Sequence, residues 1–139
     1  MTNNDVLRSL RYALELDPST MLRFFAEADV KMTLPTLAAL LKSEEEPGFA
    51  ALPDKLFARF LDGLIAAQRG PREAPSTSVP SKPVRIHNNY VLRSLKIAFE
   101  LRDVDIIAIM ELAGVPLSKP ELSALCRRED HRHYRPCGD

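Results

Sequence analysis

The sequence has few of the residues that hold small secreted domains together or build phosphate-binding loops. It contains two cysteines and five glycines among 139 residues. Both cysteines, Cys126 and Cys137, lie near the end of the chain, which excludes a disulfide framework and is typical of free thiols in a reducing compartment. No glycine-rich phosphate loop and no nucleophile with a neighbouring base is recognisable, so we expect no catalytic residue and no cofactor.

Net charge and long apolar runs are also lacking. Nineteen basic residues balance nineteen acidic ones, so no overall field draws the protein to nucleic acid or anionic lipid. The longest apolar runs are a few residues long, whereas a membrane-spanning helix needs about 20, and the first residues show no signal-peptide pattern. With 45% hydrophobic residues, the chain is expected to be globular and cytoplasmic, without a membrane partner.

What the sequence does contain is an internal repeat. At an offset of 85 residues, Asn3–Arg11 aligns with Asn88–Lys96, and the alignment continues without gaps to Asp54 and Asp139. Of the 52 aligned pairs, 18 are identical. Similarity at a fixed separation predicts a tandem duplication of one supersecondary unit. Copy one is expected over residues 1–70 and copy two over residues 88–139, with a Pro/Ser-rich linker over residues 71–87.

The apolar residues of copy one recur at helical spacing. A small four-helix module is predicted, with N-caps at Asn3-Asn4, Asp17 and Thr33 for the first three helices and a fourth helix from Asp54. Copy two has counterparts of the first three helices, with Ser118 at the third N-cap. No segment alternates polar and apolar residues over a strand length, so the predicted fold class is all-α.

Copy two ends where its fourth helix should begin, so we expect either a truncated chain or another element in that place. The copy-one helix carries five large apolar residues without counterparts: Phe57, Phe60, Leu61, Leu64 and Ile65. Burying such side chains stabilises a fold by about 1.5–3 kcal/mol each. We therefore expect a partly exposed apolar groove in copy two, filled by copy one's fourth helix, a second chain or another protein.

The repeated opening Asn-Asn-x-Val-Leu-Arg-Ser-Leu, the duplicated layout and the run Phe60-Leu61-Asp62-Gly63-Leu64 together resemble the bacterial YehS-like family. The likeness extends over nearly the whole chain outside the linker. It implies a small, duplicated cytoplasmic protein of unknown function, and it implies no catalytic residue, cofactor or ligand.

Four potential zinc ligands stand close together in copy two: Cys126, His131, His133 and Cys137. Thiolate and neutral imidazole suit tetrahedral Zn²⁺, but the spacing matches no common zinc motif and several arginines stand nearby. The two cysteines align with Leu41 and Leu52 of copy one, which favours buried apolar roles for them. We therefore expect no metal site.

A nucleic-acid-binding regulator is the alternative function. Residues 104–113, the turn at Gly114 and residues 118–128 follow one another as in a helix-turn-helix motif, although the apolar residues of the second helix fall two positions late. The basic loop that follows could clamp single-stranded RNA, although two acidic residues interrupt it. The residues expected to take part are Arg127, Arg128 and Tyr134.

A polar stripe on the first helix of each copy is a further candidate surface. It includes Arg8 in copy one and Arg93 with Lys96 in copy two, and each arginine is expected to pair with the acidic loop of its own copy. Taken together, the patterns favour a non-enzymatic protein-interaction module that binds another protein or itself. Its candidate interaction residues are Arg8, Arg93, Lys96, Arg127, Arg128 and Tyr134.

Overall fold

The computed structural model describes residues 2–69 and 86–138. These residues form seven helices and no strand, which confirms the all-α class. The helices are α1 (Asn3–Ala13), α2 (Pro18–Glu27), α3 (Leu34–Leu40), α4 (Asp54–Arg69), α5 (Asn88–Ala98), α6 (Asp103–Leu112) and α7 (Lys119–Cys126). None of these described helices is long and apolar enough to cross a membrane. The predicted linker lies outside the described residues, apart from its last two positions.

The chain divides into two compact units, Met1–Ile86 and His87–Asp139. Unit 1 contains α1 to α4 and unit 2 contains α5 to α7. Residues 85 positions apart are called counterparts below. The second helix of each unit ends at counterparts with left-handed backbone, Asp29 with φ 60° and Gly114 with φ 77°. Such recurrence is what two copies of one unit would show, and the duplication itself stays a prediction.

Polar side chains cap the helices at several predicted positions. Asp17 Oδ1 accepts a hydrogen bond from Thr20 N at 2.7 Å, with Pro18 as the first helical residue of α2. Thr33 caps α3 and Ser118 caps α7 in the same way. Each cap satisfies a backbone N–H that has no partner within its helix. These three predicted N-caps are confirmed.

The predicted cap of α1 is wrong. Thr2 is the N-cap, and its hydroxyl accepts a hydrogen bond from Asp5 N at 3.2 Å. Asn3 and Asn4 lie inside the first turn of the helix. Two asparagines before an apolar face indicate a cap because asparagine often caps helices. The Asn4 side chain instead bonds to backbone groups far away in sequence.

Helix α4 closes the core of unit 1. The ring of Phe60 lies 5.7 Å from that of Phe24 and 5.3 Å from that of Phe25, centroid to centroid, and all three side chains are buried. Gly63 faces the backbone of α2, because a Cβ at this position would lie 1.7 Å from the carbonyl oxygen of Phe24. The glycine therefore allows α2 and α4 to approach more closely than any other residue would permit.

Candidate functional site: the exposed face of helix α6

The predicted interaction arginines of the first helices bind backbone carbonyls within their own units. Arg8 Nη1 donates to Lys42 O at 2.7 Å. Arg93 Nη2 donates to Cys126 O and to Arg127 O, both at 3.2 Å. These carbonyls lie at or just beyond the end of the third helix of each unit, where a cation is favourable. Both arginines therefore bind backbone carbonyls, and Arg8 also forms an ion pair with Asp5 within α1. Among the described residues, neither arginine forms the predicted ion pair with the acidic loop of its own copy.

The other candidate interaction residues of unit 2 have mixed environments. Lys96 Nζ donates to Asp103 Oδ1 at 2.9 Å, and this bond raises the pKa of Lys96. Tyr134 is half-buried, and burial raises the pKa of its hydroxyl. Arg127 is half-buried at the end of α7 and Arg128 is exposed. At least part of the predicted polar surface is thus engaged in bonds inside the unit.

The candidate zinc ligands are not gathered around one point. The rings of His131 and His133 lie 5.7 Å apart, but His131 Nδ1 accepts a hydrogen bond from His133 N and His133 Nε2 accepts one from Arg132. Cys126 and Cys137 are half-buried and not joined in a disulfide. Within residues 2–69 and 86–138, no three His, Cys, Asp or Glu side chains form a metal-ligand cluster.

The helix-turn-helix segment has the predicted order, since α6 and α7 flank a turn at Gly114. A recognition helix contacts bases with its N-terminal residues. In α7 the first turn carries Glu121, whose carboxylate accepts a hydrogen bond from Ser118 N at 3.4 Å. A carboxylate at this position would repel the phosphates of a bound nucleic acid. Nucleic-acid binding stays a prediction, with no observation in its favour.

A buried asparagine that sequence analysis interpreted as a cap links the elements of each unit. Asn4 Nδ2 donates to Leu40 O and to Ala50 O, both at 2.8 Å, and Asn4 Oδ1 accepts from Leu52 N at 2.9 Å. Its counterpart Asn89 makes the same three bonds at counterpart positions, over 2.7–2.8 Å. The asparagine thus holds the loop after the third helix in place. In the sequence, the repeated Asn-Asn pair marked this position but did not show its partners.

The predicted apolar surface of unit 2 lies on α6. Phe24 of α2 is 2% exposed because α4 covers it, whereas its counterpart Ile109 is 50% exposed. Phe25 is fully buried, and its counterpart Met110 is half-buried. We call Ile109 and Met110 the inner side of α6. Exposed apolar side chains next to each other are typical of surfaces that bind other molecules.

A second apolar surface of α6 was not predicted. Val104 is 60% exposed, Leu112 is 89% exposed, and Ala108 between them is exposed as well. These residues follow at four-residue spacing, so they share one face of the helix; we call them the outer stripe. Their counterparts on α2 are Ser19, Arg23 and Glu27, all exposed. The change from polar to apolar residues was visible in the aligned sequences but was not compared position by position.

Comparisons with known proteins agree on one family. A family model described as a protein of unknown function (DUF1456) matches residues 3–70 and 88–139. The chain is 40% identical over 139 residues to "Uncharacterized protein YehS" of Escherichia coli (strain K12), and the match covers all of this chain and 88% of that protein. No solved structure matches. Neither description names an activity, a ligand or a partner.

Proposed function

The chain belongs to the DUF1456 family of proteins of unknown function, as its resemblance to YehS-like proteins predicted, and we propose that it is a non-enzymatic protein-interaction module. Its binding surface is the inner side of α6, and its partner supplies an amphipathic helix. The observation that carries this proposal is the exposure of Ile109 at the position where α4 buries Phe24.

Unit 1 shows what kind of helix such a surface accepts. In α4, four large apolar residues are fully buried: Phe57, Phe60, Leu61 and Leu64. They are spaced at i, i+3, i+4 and i+7, the pattern of a helix that inserts one apolar face into a groove. Gly63 permits the close approach of the backbones. A partner helix with large apolar residues at these spacings, and a small residue beside them, could pack against the inner side of α6.

Titration of a labelled synthetic peptide with the sequence of residues 54–69 into the full chain tests the proposal. Fluorescence anisotropy is expected to show saturable binding in the micromolar range, since one short helix buries less than the roughly 800 Å² per partner of a stable interface. A peptide with Phe60→Asp is the matched control and should not bind, because it buries a carboxylate in the apolar groove.

Two variants of the chain locate the binding site. Ile109→Glu places a charge on the inner side and should weaken peptide binding at least about tenfold, which corresponds to roughly 1.4 kcal/mol. Leu112→Glu changes the outer stripe and should leave peptide binding intact. Absence of saturable binding to the unaltered chain, or equal binding by the Ile109→Glu variant, would sink the proposal. Binding of an oligonucleotide that weakens steeply with salt would favour the nucleic-acid alternative.

A further inference from the structure

Two cavities adjoin on unit 1, around the turn that follows α2. The first has a volume of about 440 Å³ and lies between this turn and the start of α4. Its apolar lining consists of Ala28, Val30, Pro53 and Leu56. The second has a volume of about 770 Å³ and lies along α2, with an apolar lining of Leu22, Ala26, Val30 and Met32. Asp29 and Val30 line both cavities, so the two meet at these residues.

Each cavity also has two basic side chains in its lining. These are Lys55 and Arg59 in the first cavity and Arg23 and Lys31 in the second. None of the four side chains forms a hydrogen bond or an ion pair with any described residue. In the described part of the chain, Asp29 is the one acidic residue of either lining. We call the two cavities together the basic groove, in which four cations surround one carboxylate.

This arrangement of cations is unfavourable without an anion. Lys55 and Arg59 lie four residues apart on α4, where like charges repel each other. The repeated fold does not require basic residues here, since Ala108 and Pro116 stand at the counterpart positions of Arg23 and Lys31. Cations without partners beside apolar cavities are typical of a site that binds an anionic ligand with apolar parts.

We propose that the basic groove binds an acidic peptide segment that also carries apolar side chains. Each cavity offers an apolar lining next to a pair of cations. This repeated arrangement suits an extended chain in which carboxylates alternate with apolar side chains. The turn between the cavities is held in place, since Val30 N donates a hydrogen bond to Phe25 O at 2.9 Å. The groove is therefore formed before the peptide binds, which lowers the entropic cost of binding.

The chemistry of the lining favours a peptide over nucleic acid or a membrane. Among the described residues, no aromatic side chain lines either cavity, so bases have no ring to stack on. A peptide can donate backbone N–H groups to Asp29, whereas a phosphate backbone has none to donate. The apolar linings lie inside cavities, but a membrane surface is bound by apolar residues that enter the lipid.

An NMR titration of the isotope-labelled full chain with a synthetic peptide of alternating glutamate and leucine tests the proposal. Amide signals of residues 22–32 and 53–59 should shift and reach saturation. Added salt should weaken the binding, because it screens exposed charges. Peptides with serine in place of leucine, or lysine in place of glutamate, are the controls. Both should bind at least about tenfold more weakly, since they lose the apolar burial or the opposite charge.

Paired substitutions of basic residues locate the site. Lys55→Gln/Arg59→Gln and Arg23→Gln/Lys31→Gln should each weaken peptide binding about fivefold, because each removes two exposed ion pairs. Arg11→Gln/Arg128→Gln is the matched control, since it removes two exposed cations outside the groove. It should bind the peptide as the parent chain does. Ile109→Glu should also bind it normally, which separates this site from the inner side of α6.

Three results would overturn the proposal: no saturable binding, equal binding of the serine peptide, or equal weakening by the groove variants and the matched control. Single-stranded oligonucleotides and phosphatidylglycerol vesicles test the other partner classes. If either bound more tightly than the acidic peptide and lost binding in the groove variants, the groove would belong to nucleic acid or to a membrane surface instead.

Discussion

Three leucines of unit 1 and their counterparts in unit 2 are the same amino acid in different environments. Leu7, Leu10 and Leu40 are 0%, 8% and 2% exposed. Their counterparts Leu92, Leu95 and Leu125 are half-buried. Because these residues and their helices correspond, side-chain chemistry does not account for the difference in burial. The packing does, because α5 buries Val91, Ser94 and Ala98, whereas the aligned residues of α1 are half-buried or exposed.

The same comparison shows where the two units depend on different residues. Helix α4 supplies the aromatic cluster around Phe60, together with Leu61 and Leu64, to the core of unit 1. In the described part of unit 2 the buried apolar side chains are Val91, Ala98, Ile106, Leu122 and Ala124. Each unit nevertheless keeps the same buried asparagine with the same three hydrogen bonds. The polar network is therefore the shared structural element, and the apolar core is where the units diverge.

The largest expected effect comes from removing that shared network. Asn4→Ala leaves three backbone groups, Leu40 O, Ala50 O and Leu52 N, without their partner. Each buried polar group without a partner costs about 1–3 kcal/mol, so the three together cost up to about 9 kcal/mol. Asn89→Ala should do the same in unit 2. Hydrogen exchange followed by mass spectrometry should show faster exchange in the unit that carries the substitution.

Ser9→Ala is the control for these variants, because Ser9 donates one exposed hydrogen bond to Asp5 O within α1. It should change hydrogen exchange little. Each network is expected to stabilise its own unit. Equal acceleration of hydrogen exchange in both units by Asn4→Ala would contradict this expectation.

A smaller effect is expected from making unit 1 resemble unit 2. Phe60→Ala removes the ring that contacts Phe24 and Phe25, and loss of a buried phenylalanine costs about 3–5 kcal/mol. Urea denaturation should show this loss in unit 1, and hydrogen exchange in α2 should rise toward that of α6. Tyr12→Ala, at an 88% exposed position, is the control. An unchanged urea midpoint for the Phe60→Ala variant would contradict the role given to α4.

Sequence analysis predicted the parts of this fold that follow from short-range patterns. Apolar periodicity located the helices, and Asp17, Thr33 and Ser118 marked three of their starts. An apolar surface in unit 2 was also expected, and Ile109, aligned with the buried Phe24, is 50% exposed. These predictions depend on residues within one or two helical turns of each other, or on alignment of the two copies.

The parts that escaped prediction depend on long-range contacts. Nothing local to Asn4 shows that its amide reaches residues 36 to 48 positions away. The carbonyl partners of Arg8 and Arg93 were missed for the same reason, because backbone groups carry no sequence signal. The outer stripe could have been predicted from the sequence, since the polar Glu27 aligns with the apolar Leu112. Comparing the polarity of counterparts, and not their identity alone, would have found it.

The smallest predicted effect is an unequal response of the two units to acid. The hydrogen bond with Thr20 holds the pKa of Asp17 below its ordinary value of 3.8, and bonds with Thr2 lower that of Asp5. In unit 2 these positions hold Arg102 and Tyr90, although Asp105 has a lowered pKa through its bond with Arg102 N. A carboxylate whose pKa is lower in the folded state stabilises the fold above its unfolded pKa, and this contribution is lost as pH falls through the folded pKa.

Asp17→Asn keeps a capping side chain without a titrating group. Its urea midpoint should therefore fall less steeply than that of the parent below about pH 4. Parallel pH profiles for the two chains would show that the Asp17 cap does not contribute to the acid response of unit 1.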